Sequence, residues 1–265
     1  MNPAISFPKL TLVELRKMVD TRAGFWLQLT TAVLTLAIVI LFCIFGETQD
    51  LIFRDMFALA IVVLVCIFGE TSDFVFRDMF ALAILPASIL LPVIGILLVS
   101  SEWSQRTALI TFTLVPKRMR VMSAKVAAGI VLGLAVLVIA LLVAIVAVFA
   151  VGGAWTMGAA VFGQICLLVV TGMLQGVAFG AAFMNSATAI VLYFVLPFVF
   201  TALSAIPAVE DIGRWVNLIE TTGPLTEPGM TGTEWARFGV SLIVWLALPL
   251  AVGLYRITRG EIRAA

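Results

Sequence analysis

Six stretches of this chain are apolar over about the length of a bilayer-crossing helix: residues 25–45, 80–100, 126–151, 162–184, 189–206 and 238–255. A helix rises about 1.5 Å per residue and the hydrocarbon core of a bilayer is about 30 Å thick, so roughly 20 apolar residues make one crossing. With 63% of its 265 residues hydrophobic and only 12% charged, the chain lies well outside the composition of a soluble domain. The expected fold class is an all-α integral membrane protein with six transmembrane helices. Residues 1–24 form a cytoplasmic amphipathic helix, and residues 25–265 form a single transmembrane domain.

Charge sets the orientation. Arg106, Lys117, Arg118, Arg120 and Lys125 crowd the loop between the second and third stretches, and a short loop rich in bases stays in the cytoplasm. Lys9, Arg16, Lys17 and Arg22 precede the first stretch, and Arg256, Arg259 and Arg263 follow the last. Six crossings therefore put twelve of sixteen bases, and both termini, on the inner side. Arg54, Arg77, Arg214 and Arg237 remain outside. Ahead of the first stretch, Thr11 and Glu14 have capping-box spacing. Leu12, Leu15 and Val19 recur on one face, with Glu14, Arg16, Lys17 and Asp20 on others, which reads as a helix lying on the inner membrane surface. A signal peptide is the competing reading, but the apolar run is long for one and no small-residue cleavage site follows it.

An internal repeat interrupts this pattern. Residues 36–61 return as residues 59–84 at an offset of 23, identical at all but five positions. The added apolar piece, residues 57–68, would rise only about 18 Å as a helix, short of a crossing. A seventh crossing would also carry the basic loop to the outer side, so a re-entrant or surface-lying segment on the outer side is expected. The alternative is that the segment crosses with the help of neighbouring residues, which changes the helix count. The remaining long outer segment, residues 207–237, contains Glu210, Asp211, Arg214 and Trp215 and suits a short interfacial helix near residues 210–219.

Composition excludes several chemistries. The net charge of +1 argues against a nucleic-acid partner. The chain has no histidine, and Cys43, Cys66 and Cys166 stand singly in apolar runs, so no metal or imidazole site is expected. There is no phosphate loop, no HExxH and no GxSxG with a histidine to activate its serine. Within the fourth stretch Gln164, Thr171 and Gln175 share one helical face, either as a polar wall of a translocation path or as hydrogen-bonding contacts between helices. Gly172, Gly176 and Gly180, like Gly129 and Gly133, have the small-residue spacing of close helix packing. Pro86, Pro92, Pro197 and Pro249 are candidate kinks.

The segment SEWSQRTALITFTLVPKR that follows the second stretch, with the order Glu102, Arg106, Thr107, resembles the membrane subunit of bacterial ABC exporters of the type-two permease family. The resemblance spans nearly the whole chain and departs from the family in the 23-residue repeat. It implies that the loop 101–125 forms a coupling element docking on a separate cytoplasmic ATP-binding cassette subunit. It also implies a second permease subunit, as homodimer or heterodimer, in the bacterial inner membrane. On that analogy Glu102 and Arg106 orient the loop, residues 107–112 including Thr107 and Phe112 supply the inserted surface, and Lys117, Arg118 and Arg120 sit at headgroups or on the ATPase. The chain would bind no cofactor itself; ATP and Mg would belong to the partner. An amphipathic or hydrophobic cargo suits the apolar spans. The alternative class is a non-transporting sensor, assembly or immunity module using the same loop, and a secondary carrier is disfavoured by the lack of mid-membrane charges.

Overall fold

The computed structural model describes residues 6–20, 25–31, 33, 75–104, 111, 113, 115, 117–204 and 206–259. Helix α1 spans Phe7–Asp20, α2 Phe76–Ser104, α3 Arg118–Val151, α4 Ala159–Phe183 and α5 Ser186–Ser204. Two short helices follow, α6 Glu210–Val216 and α7 Leu218–Thr222. The last span runs unbroken from α8, Gly232–Leu242, through a π turn at Ile243–Ala247 into α9, Leu248–Arg259. The described residues are all-helical apart from turns and one isolated bridge between Val75 and Ala154. Five of these helices are long and apolar enough to cross a membrane, as expected of a multi-pass membrane protein. Residues 25–31 and 33 are helical, but the rest of the first apolar stretch lies outside the described residues. So do the first copy of the repeat, most of the second, residues 57–68, Cys43 and Cys66.

The spans begin earlier than their apolar runs. Helix α3 starts at Arg118 rather than near residue 126, so its first two turns carry Arg118, Arg120 and Lys125. The last span starts at Gly232 because Thr231 and Glu234 close a capping box, the Thr231 N–H donating to Glu234 Oε2 at 2.6 Å. The capping box expected at Thr11 and Glu14 does not form. Helix α1 already begins at Phe7, and the Thr11 hydroxyl donates back to the Phe7 carbonyl at 3.2 Å. On α1, Leu10, Glu14 and Met18 are buried, whereas Leu12 and Val13 are exposed.

Helices α2 and α4 form the centre of the bundle, and two-thirds of the most apolar window of each is buried. Glycine makes this possible. A Cβ on Gly176 would lie 2.1 Å from the Pro92 carbonyl oxygen, one on Gly180 2.6 Å from that of Ile96, and one on Gly95 2.5 Å from that of Met173. The expected small-residue packing is thus realised at Gly176 and Gly180, where backbones meet directly. Pro86 and Pro92 are both accommodated inside α2. Pro249 follows the π turn. Having no N–H, it cannot bond the Trp245 carbonyl, and the preceding turn relaxes to the wider register. The outward faces of α3, α5 and the last span expose Val146, Phe149, Phe198, Ile243 and Leu248, side chains that lipid would cover.

The glycine contacts give a paired expectation. Gly176→Ala should lower the unfolding midpoint in detergent, at a cost of about 1–3 kcal/mol for the forced separation of two backbones. Gly172→Ala, whose Cβ would sit 4.0 Å from Pro92 Cγ, should leave it near wild type.

Candidate functional site

Four charged side chains meet where α1, the C-terminal turn of α2 and the second turn of α3 converge. Glu14 is 1% exposed, and its Oε2 lies 2.7 Å from Lys125 Nζ, itself on a residue 3% exposed. The same ammonium reaches the Leu98 carbonyl at 2.9 Å and Glu102 Oε1 at 3.3 Å, so its three N–H groups face three oxygens. Lys17 closes the ring, 2.9 Å from Glu14 Oε1 and 2.7 Å from Glu102 Oε1. Thr111, across the loop, donates its hydroxyl to Glu102 Oε1 at 3.2 Å. Among the described residues the buried Glu14, Glu102 and Lys125 are balanced in charge with the help of the partly exposed Lys17, which makes their burial tolerable. Burial works against the Lys17 ammonium, but its hydrogen bonds to Glu102 and Glu14 prevail and raise its pKa above the ordinary 10.5.

Neighbouring arginines fasten helix ends at the same end of the bundle. Arg118 donates to the Ile257 carbonyl at 2.6 Å, and Arg256 donates to the carbonyl of Ala182. Both acceptors belong to last turns, where carbonyls lack intrahelical partners and cations are favoured. The N-terminal helix, both flanks of the basic loop and the end of the last span are therefore one connected assembly. At the opposite end lie Arg77, paired with Asp78, Arg214, paired with Glu210, and Arg237, stacked 5.9 Å from the Trp215 ring.

Of the residues singled out in the loop, Glu102 faces inward and is buried, Lys117 is exposed, and Arg118 is half-buried against the last span. Arg106, Thr107 and Phe112 lie outside the described residues. Sequence reasoning missed Glu14 and Lys17 as site residues, placing them only off the apolar face of α1, and treated Lys125 only as a topology marker. The available signal was Lys125 itself, a lysine entering an apolar run and therefore in need of an anion.

The three polar residues of α4 divide. Thr171 and Gln175 line a cavity of about 230 Å³ between α2, α4, α5 and α7, far from the charged ring, whereas Gln164 does not. Gln164 is buried, and its Oε1 has no hydrogen-bond partner among the described residues. The Tyr193 hydroxyl donates to Gln175 Oε1 at 3.3 Å, so Gln175 joins α4 to α5 and also borders the cavity. Among the described residues no group of His, Cys, Asp and Glu is placed to hold a metal ion. No protein-family model, curated protein or solved structure matches the chain.

Chemically, the ring is suited to transmitting displacement, because a shift of Glu102 or Lys125 is resisted by Glu14 and Lys17 on α1. Lys125→Met, which leaves two buried carboxylates facing one lysine, should destabilise the protein by about 3–5 kcal/mol. Glu14→Gln combined with Lys125→Met should cost less than the sum of the single changes in chemical unfolding in mixed micelles. A raised Lys17 pKa means that its contribution is complete below pH 10.5 and is lost as pH rises through the folded-state value. The attachment of α1, followed by hydrogen exchange, should weaken in that alkaline range, and Lys17→Met should flatten the dependence.

Proposed function

We propose that this chain is the membrane-spanning permease subunit of an ATP-driven ABC exporter, working with a cytoplasmic ATP-binding cassette subunit and a second permease subunit. The observation that carries the proposal is that Glu102 and Lys125, on the two flanks of the basic loop, are bound to each other and to α1 in one buried ring. A loop anchored in this way cannot be pushed without moving α1, α2 and α3 together. The segment's likeness to the type-two exporter pattern supports the same reading, as does the sorting of bases. Lys17, Arg118, Lys125 and Arg256 gather at one end of the bundle, where a positive-inside protein would face the cytoplasm.

In this reading the first apolar stretch supplies a sixth crossing, both termini are cytoplasmic and α1 lies at the inner surface of a bacterial cytoplasmic membrane. The exposed Leu12 and Val13 then meet lipid while the charged ring faces the bundle. ATP and Mg bind the partner ATPase, whose closure presses the two loops. The permease dimer answers by changing the side to which its path opens, because the two states differ in their contacts with the closed ATPase.

Co-expression with an ATPase encoded beside this chain tests the proposal. The two should co-purify, and reconstituted permease should stimulate ATP hydrolysis. Glu102→Gln should reduce that stimulation by about tenfold while the permease still inserts, and Lys117→Ala, at an exposed position, should weaken association. Failure of any such ATPase to bind, with hydrolysis indifferent to Glu102→Gln, would instead favour a non-transporting membrane module.

A further inference from the structure

The cavity between α2, α4, α5 and α7 has a definite chemistry. Among the described residues that line it none is charged, and its walls are mostly aliphatic, proline and phenylalanine side chains such as Leu91, Leu168 and Phe194. An ion entering it would lose its hydration without a counter-charge, a cost of several kcal/mol. The hydroxyls around it are largely committed. Ser88 donates to Leu85, Thr171 to Leu167 and Thr222 to Leu218, each within its own helix.

The Gln175–Tyr193 pair differs from these. Its 3.3 Å separation is longer than the usual 2.5–3.0 Å for O–H···O, so the bond is weak and readily exchanged. The carboxamide offers both donor and acceptor, and the phenol does the same. Gln175 and Tyr193 are 3% and 8% exposed, so the polar pair stands at the buried wall of an otherwise apolar space. Size completes the description. An apolar cavity of about 150 Å³ takes a benzene-sized group, so 230 Å³ has room for roughly ten non-hydrogen atoms.

We propose that this cavity is a binding site for uncharged, single-headed amphiphiles, with one hydroxyl at Gln175 and Tyr193 and an apolar body against Leu91, Leu168 and Phe194. Naming such a molecule as cargo rests on the exporter reading, but the binding itself does not.

The test uses the full chain alone in nanodiscs, without ATPase, and a photoreactive diazirine analogue of decan-1-ol. Cross-links should fall on the peptides around Leu168–Gln175 and Tyr193–Phe198. They should saturate and should be displaced by decan-1-ol but not by equal concentrations of decanoate or decylammonium. Tyr193→Phe, which keeps the ring, should weaken displacement by about three- to tenfold, the worth of one neutral hydrogen bond. Leu168→Trp should fill the space and abolish specific labelling, and Tyr193→Phe decides alone should that variant not fold. Unsaturable labelling spread over the lipid-facing surface overturns the proposal. So does equal competition by the charged analogues, or indifference to Tyr193→Phe. An ATPase that fails to associate while saturable labelling persists removes the exporter reading only. The reverse pair of results removes this site only.

Discussion

Two carboxylates and two lysines drawn from three helices, with Glu14, Glu102 and Lys125 buried and Lys17 partly exposed, are the constraint around which this protein is arranged. Glu14, Lys17, Glu102 and Lys125 are each opposed by more than one counter-charge, so moving any helix away would strand ions in a medium that solvates them poorly. The ring therefore specifies one docking position for α1 against the bundle. It also ties the short helix to both flanks of the basic loop. Arg118 and Arg256 extend the same fastening to the ends of α9 and α4.

Deeper in the bundle from the ring the constraint is steric. Helices α2 and α4 meet backbone to backbone at Gly95, Gly176 and Gly180, which leaves little freedom for one to slide over the other. Beside this rigid pair, α5 packs Tyr193 edge-on against Phe179 of α4, donates the long Tyr193–Gln175 hydrogen bond and borders the cavity. Trp245, in the π turn of the last span, stacks on Phe179 and donates its indole N–H to the Val216 carbonyl at 2.7 Å, linking the span to α6.

Much of this was legible in the sequence because membrane helices are written in composition. The apolar runs located five spans, and glycine spacing identified the faces that pack at Gly176 and Gly180. What escaped depends on pairing between distant residues. Nothing local distinguishes Glu14 from a solvated acid; its partner is 111 positions away, and only the fold brings Lys125 to it. The capping box was misplaced for a related reason. Thr11 and Glu14 have the required spacing, as Thr231 and Glu234 do, but the Thr11 hydroxyl is already used within a helix that starts four residues earlier. The cavity was equally hidden, since Gln175 and Tyr193 come together only after α4 turns back into α5 at Met184, whose φ of 52° makes the tight reversal.

The central claim is that the charged ring holds α1 in one fixed place on the bundle. Pulsed electron–electron resonance measures this directly, with spin labels at the exposed positions Val13 on α1 and Met119 on α3 in a background lacking the three native cysteines. The account predicts a single narrow distance distribution with the native charges and a broad one when Lys125 is replaced by Met. A broad distribution in the native-charge protein, or a narrow one that persists when both Lys17 and Lys125 are replaced, would contradict it.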